Sequence, residues 1–189
     1  MKNKVGHICT VVGILLILAA LAIWSYKEWD ADRADHAAQT LLTEVTAQQT
    51  RTKPQTAETA DSKSEETDSF LGTLSLPTLN LELPVYAAYD DNLMKDTVCR
   101  YAGSVDTENL VIAGHNYKRH FGKLTNLRIG DEVTLKTMDG TTYCYQVELV
   151  ETLDSTAIDE MTAGDYSLTL FTCDYSGQAR IAVRCQQTS

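Results

Sequence analysis

The chain is poor in positive charge: 16 lysines and arginines stand against 26 aspartates and glutamates, a formal net charge of −10 over 189 residues. No basic patch or aromatic platform offsets that balance, which argues against a nucleic-acid partner. Glycine-rich phosphate loops are absent, as are the CxxC and HExxH spacings from which zinc sites are commonly built. His115 and His120 do not form the i, i+4 pair of a helical metal site, so neither a metal nor a cofactor is expected. No internal repeat divides the sequence.

One apolar run does stand out. It extends from Ile8 to Trp24, broken only by Thr10 and Gly13, and at about 1.5 Å per residue it is near the lower limit for crossing a hydrocarbon core. Lys2 and Lys4 precede it, acid-rich sequence (Glu28, Asp30, Asp32, Asp35) follows it, and Trp24 and Tyr26 sit where interfacial aromatics belong. The expectation is a cytoplasmic stub and transmembrane signal-anchor over 1–26, single-pass in the cell membrane, with the rest of the chain outside. A cleaved secretory signal using the small residues of LAALA is the competing reading. Residues 27–69 are expected to be an extracellular stalk and linker. Their first half is Ala-rich and helix-favouring, with a thin stripe of Leu41, Leu42 and Val45. Residues 51–69 have almost no large apolar side chain to offset ordering entropy.

From Phe70 onward the pattern changes to short apolar runs separated by turn residues. Strands are expected at 71–76, 81–86, 109–115, 131–137, 141–152, 167–173 and 179–185, with an Asp139-Gly140 hairpin. Short helices are expected near 92–95, 121–127 and 157–161. Seven or eight strands at this spacing predict an all-β domain over 70–189, closed or nearly closed as a barrel, with a sandwich as the alternative.

Two of these runs end on reactive side chains. VIAGHN delivers His115, and LTLFTCDYSGQAR delivers Cys173 with Arg180 on the next strand. A thiol, an imidazole and a guanidinium supply a nucleophile, a proton carrier and a cation for a developing oxyanion, which is the chemistry of acyl transfer. A hairpin through 174–178 would return Arg180 beside Cys173. Arg184 shares its face but stands about 13 Å further along. His120, in the polar run YKRH, reads as a loop crown. Cys99, Cys144 and Cys185 read as core packing, and no stable disulfide is expected although the domain is exported.

LGTLSLPTLNLELPVY, VIAGHN with FGKLTNLRIGD behind it, and LTLFTCDYSGQARIAV together resemble a sortase, a membrane-anchored cysteine transpeptidase of Gram-positive bacteria. The resemblance spans residues 70–187. It implies an eight-stranded sortase barrel in which His115, Cys173 and Arg180 meet at one end. It also implies cleavage of an LPxTG-like sorting signal and passage of a Cys173 thioester to an amine, on a peptidoglycan precursor or another acceptor. Thr172 and Asn116 are the candidate substrate-binding residues; by the resemblance Thr172 either contacts substrate or positions its strand. For Asn116, orienting His115 and capping the following turn stay open.

Within that family the chain looks class A-like or class D-like. No DPW- or DPF-like lid precedes the barrel, no second hydrophobic run ends the chain, and 151–166 is too short for the helical insertion of the haem-uptake class. RYAGSVDTEN offers only Asp106 and Glu108, so bound calcium is not expected. Two alternatives to the transpeptidase are a hydrolase on the same barrel and a non-catalytic peptide-binding module.

Overall fold

A computed structural model of the chain describes residues 12–22, 25, 38–47 and 69–188. The chain divides into two units, Met1–Arg33 and Ala34–Ser189. In the first, residues 12–22 are helical, with Ile14, Leu15, Leu16, Ile17 and Leu18 exposed. Among the described residues no helix is long and apolar enough to cross a membrane. The remainder of the expected anchor, and all of the linker over 48–68, lie outside the described residues.

The second unit is a closed barrel of eight strands: β1 (Phe70–Leu76), β2 (Leu81–Tyr86), β3 (Val98–Ala102), β4 (Leu110–Ala113), β5 (Glu132–Thr137), β6 (Thr142–Asp154), β7 (Leu168–Cys173) and β8 (Ala179–Gln187). Around the barrel their order is β1-β2-β3-β4-β7-β8-β6-β5, which leaves no free sheet edge and excludes the sandwich. Two pairings are parallel, β2 with β3 and β4 with β7, and the rest are antiparallel.

Period-two alternation sets what faces inward. Leu74 and Leu76 of β1, Leu110 and Ile112 of β4, Leu135 of β5, and Leu168 and Leu170 of β7 are fully buried in the central cluster. Each such side chain contributes about 1.5–3 kcal/mol of burial. The β5–β6 hairpin turns where Asp139-Gly140 predicted. Gly140 takes φ 90°, and the Asp139 carboxylate accepts from the Thr137 hydroxyl and from the Thr141 backbone N–H. β3 was not anticipated as a strand. It pairs with β2 over only two residues, Val98 and Cys99, and with β4 through Ala102, with a bulge between Arg100 and Ala102.

Helix 38–47 belongs to the barrel's unit, and Ala38 joins the central cluster. Val45 is fully buried and Leu41 and Leu42 are half-buried. The apolar stripe therefore includes an alanine that the sequence pattern had left out.

The segment after β4 closes the end of the barrel near the reactive residues. Phe121 N–H donates to the His115 carbonyl at 3.1 Å, while Phe121 and Leu124 are completely buried. Gly114 allows this closure, since a Cβ there would lie 2.7 Å from Val98 Cγ1 and 2.8 Å from Phe121 Cδ2. His120 is not the crown of a loop. It is 0% exposed, packed 5.3 Å from the Tyr117 ring, and neither ring nitrogen has a hydrogen-bond partner among the described residues.

Burial, reinforced by the neighbouring His115, pushes the His120 imidazole down to about 4; the Asp96 backbone opposes this weakly, outside hydrogen-bonding geometry. The folded state thus binds fewer protons than the unfolded chain. The stability tied to His120 is present above the ordinary histidine value near 6.5 and is lost as pH falls towards about 4. Thermal or denaturant unfolding should lose about 2 kcal/mol between pH 7 and pH 5 from this group. A folded His120→Phe variant should show a correspondingly flatter profile across that window.

Candidate active site

β7 lies between β4 and β8, and its two ladders bring the three reactive residues to one end of the barrel. On the β8 side the register places Cys173 directly opposite Arg180. The connecting turn is built around Asp174. Its N–H donates to the Ala179 carbonyl at 2.9 Å, and its carboxylate accepts from the Ser176 hydroxyl at 2.6 Å and the Ala179 N–H at 3.1 Å. These hydrogen bonds, the Ser176 one foremost, hold the exposed Asp174 carboxyl below the usual carboxylate range. Gly177 supplies the left-handed residue at φ 75°. The tight return predicted from spacing is thus realised.

On the β4 side the ladder is parallel and aligns Ala113 with Phe171. The Gly114 N–H extends it by donating to the Phe171 carbonyl at 3.1 Å. His115 follows two residues beyond Ala113, just past the end of β4, and reaches the same cleft as Cys173. His115, Cys173 and Arg180 all line one cleft of about 340 Å³ and are all half-buried, so the reactive groups are held by protein yet reachable.

Arg180 forms no ion pair among the described residues. Its Nη1 approaches the Gly177 and Ala179 carbonyls only loosely, at 3.4 and 3.3 Å, so most of its five N–H donors are uncommitted among the described residues. Arg184 contrasts with it. It is 4% exposed, pairs with Glu151 at 2.8 Å and donates to two backbone carbonyls and a hydroxyl. Opposite Thr169, it lies four residues along β8 from Arg180, too far to reach the thiol, and is fully engaged in structure.

Thr172 points inward by alternation, beside Leu170, yet it also lines the cleft; it is 3% exposed and its hydroxyl has no partner among the described residues. Asn116 is not among the cleft-lining residues. Its Oδ1 lies 2.9 Å from where a Cβ on Gly122 would stand, so the side chain folds back over the turn.

The remaining walls come from segments whose role the sequence left unread. Tyr89, Asp91 and Met94 approach from the loop before β3, and Asp154, Ala157, Ile158 and Met161 from the β6–β7 connection. Tyr89, Tyr101 and Phe171 form a chain of edge-to-face contacts at 5.3 and 5.2 Å. The Tyr89 hydroxyl donates to Asp91 at 2.5 Å, and this bond, aided by burial, pushes the phenol up to about 12. The only hint in the sequence was the aromatic content of YAAYDD and RYAG, which has no period to assign it to a face.

Cys99, Cys144, Cys173 and Cys185 are free thiols. Burial pushes Cys99 up to about 11 and Cys185 up to about 12, which makes both poor nucleophiles. Among the described residues no group of three or more His, Cys, Asp or Glu is arranged to hold a metal ion.

Comparison with known proteins agrees with this geometry. The family model described as the sortase domain matches residues 74–188. No curated protein matches the sequence. Among solved structures, sortase C1 from Streptococcus suis shares 24% identity with a TM-score of 0.54, covering 64% of this chain and 73% of that one. Sortase A from Listeria monocytogenes shares 21% identity with a TM-score of 0.58, over 65% of this chain and 89% of that one. A sortase D5 transpeptidase from Clostridium perfringens shares 15% identity with a TM-score of 0.64, over 82% and 99%. At such identities the structures speak for the fold, while the domain match covers more than half of the sequence. The chain belongs to the sortase family and is a cysteine transpeptidase.

Proposed function

We propose that this sortase is anchored in the cell membrane by its N-terminal apolar run, cleaves an LPxTG-like sorting signal through a thioester on Cys173, and transfers the acyl group to an amine of the cell wall. The observation that carries the reading is the pairing of Cys173 with Arg180 across β7 and β8, with His115 in the same cleft. The anchor reading is supported by the helical, apolar-surfaced segment 12–22 and the lysines before it. A class A-like or class D-like assignment is supported by the β6–β7 connection, whose helix is only Ile158–Met161.

The chemistry follows from the three side chains. The Cys173 thiolate attacks the scissile carbonyl carbon and forms the C–S bond. The carbonyl oxygen takes up the electron pair and is stabilised by N–H donors of Arg180, a cation at every accessible pH. As the oxyanion collapses, the C–N bond breaks and His115, as imidazolium, gives its proton to the departing amine. The thioester then meets an incoming amine. His115, now neutral, takes that amine's proton, and Cys173 leaves as thiolate, restoring the starting state. Thr172 lies beside the reacting carbonyl in this reading and offers its unpartnered hydroxyl to the substrate backbone. Asn116 acts from outside the cleft, by shaping the turn that carries His115.

Two outcomes are expected of the full-length chain given a fluorogenic LPxTG-like peptide library, with and without an added amine. The parent should release the leaving peptide and form a new amide only when amine is present. Cys173→Ala should abolish both, and Arg180→Ala should lower turnover by about 10²–10³, the usual cost of removing an oxyanion donor. Cleavage that gives free acid at the same rate whether or not amine is added would identify a hydrolase. No cleavage by folded protein would favour a binding module.

Thiol reactivity gives a substrate-free check. Iodoacetamide should modify Cys173 well ahead of Cys99 and Cys185, whose buried thiols resist ionisation. Peptide mapping of a time course reads the order, and uniform labelling would contradict an activated Cys173.

A further inference from the structure

One charged side chain deep in the barrel wall is unused by this mechanism. Arg184 projects from β8 on the same face as Arg180, and its side chain is 5% exposed. Its Nε donates to Glu151 at 2.8 Å, Nη1 donates to the Met161 carbonyl at 3.0 Å and to Thr169 Oγ1 at 3.1 Å, and Nη2 donates to the Glu160 carbonyl at 2.8 Å. The guanidinium also lies 5.5 Å from the centre of the Tyr166 ring. One planar group therefore ties three barrel strands (β6, β7 and β8) to the connection between β6 and β7.

That connection needs such a tie. Ile158–Met161 is a single helical turn, far too short to hold its shape by its own hydrogen bonds. Ile158 is 55% exposed, so of its apolar side chains only Met161 is buried, against Val111 and Ala182. The carbonyls of Glu160 and Met161 stand at the end of the turn, where no later helical N–H reaches them. Arg184 satisfies both. Met161 separates two hollows: it lines the cleft holding Cys173, and it lines a neighbouring cavity of about 250 Å³ in which Arg184 and Glu151 lie.

We propose that Arg184 is a positioning residue for substrate: by clamping the Glu160 and Met161 carbonyls to β8, it fixes the Ile158–Met161 wall of the cleft that holds Cys173. This rests on the reading of the cleft as the peptide site. Lysine is no substitute, because a single ammonium cannot reach a carboxylate and two divergent carbonyls as a rigid fork does. The Glu151 carboxylate offsets the buried charge and orients the fork.

The test pairs amide hydrogen exchange with steady-state kinetics on the full-length chain and its Arg184→Lys and Glu151→Gln variants. In Arg184→Lys, exchange of the amides over 157–163 should accelerate at least tenfold while β7 and β8 stay protected. KM for the peptide should rise about tenfold, with kcat and the rate of Cys173 alkylation within twofold of the parent. Glu151→Gln keeps every donor of Arg184 and should shift both readouts in the same direction by a smaller factor. It carries the test alone if Arg184→Lys does not fold. Unchanged exchange over 157–163 would overturn the clamp, as would acceleration spread equally over β7 and β8. Faster local exchange with KM unmoved, or a fall in kcat alone, would overturn the positioning role. If the parent turns over no peptide, local exchange still decides the clamp, and the peptide-site reading and the positioning role built on it both fall.

Discussion

Everything at this site depends on the register of one strand. β7 is hydrogen-bonded to β4 in parallel as far as Phe171 and to β8 in antiparallel fashion as far as Cys173, its last residue. A slip of one residue on either side would turn a reactive side chain to the opposite face. The register is held by Leu168 and Leu170, which occupy the core and must point inward, so Phe171 and Cys173 face the cleft. Hydrophobic burial in the barrel is thus what aligns a thiol, an imidazole and a guanidinium. Closure of the barrel removes the free edges along which the strands might slide.

The second requirement is a lid on the barrel end that does not obstruct the thiol. The turn after β4 meets it by burying Phe121, Leu124 and His120 while returning the chain through the His115 carbonyl. Gly114 is the hinge of that arrangement, because any side chain would collide with Val98 and Phe121. The cost is a histidine sealed without hydrogen-bond partners among the described residues, held neutral by burial near His115.

Most of the barrel was legible because its strands alternate in a simple way between core and surface. That His115, Cys173 and Arg180 share one cleft was legible because each ends a readable apolar run or follows a readable turn. β3 escaped because its five residues hold a bulge between Arg100 and Ala102 and do not alternate between buried and exposed. His120 was misjudged because polar neighbours (Tyr117, Lys118, Arg119) suggest solvent, whereas the buried Phe121 that follows drags it inward. Arg180 and Arg184 share a face by spacing, and the hairpin through 174–178 already singles out Arg180; what the sequence does not carry is the engagement of Arg184 with Glu151. The far wall of the cleft, with Tyr89, Asp91, Ile158 and Met161, comes from loops whose paths are set by tertiary contacts rather than by local pattern.

The central claim is that Cys173 forms a covalent acyl intermediate in this cleft. Intact-mass spectrometry of the full-length chain, mixed with LPxTG-like peptide and no amine, addresses it directly. The account predicts an adduct of the acyl fragment's mass, localised to Cys173, discharged by hydroxylamine and absent from Cys173→Ala. Folded protein that cleaves peptide with no adduct on rapid quenching, or an adduct that persists in Cys173→Ala, would contradict it.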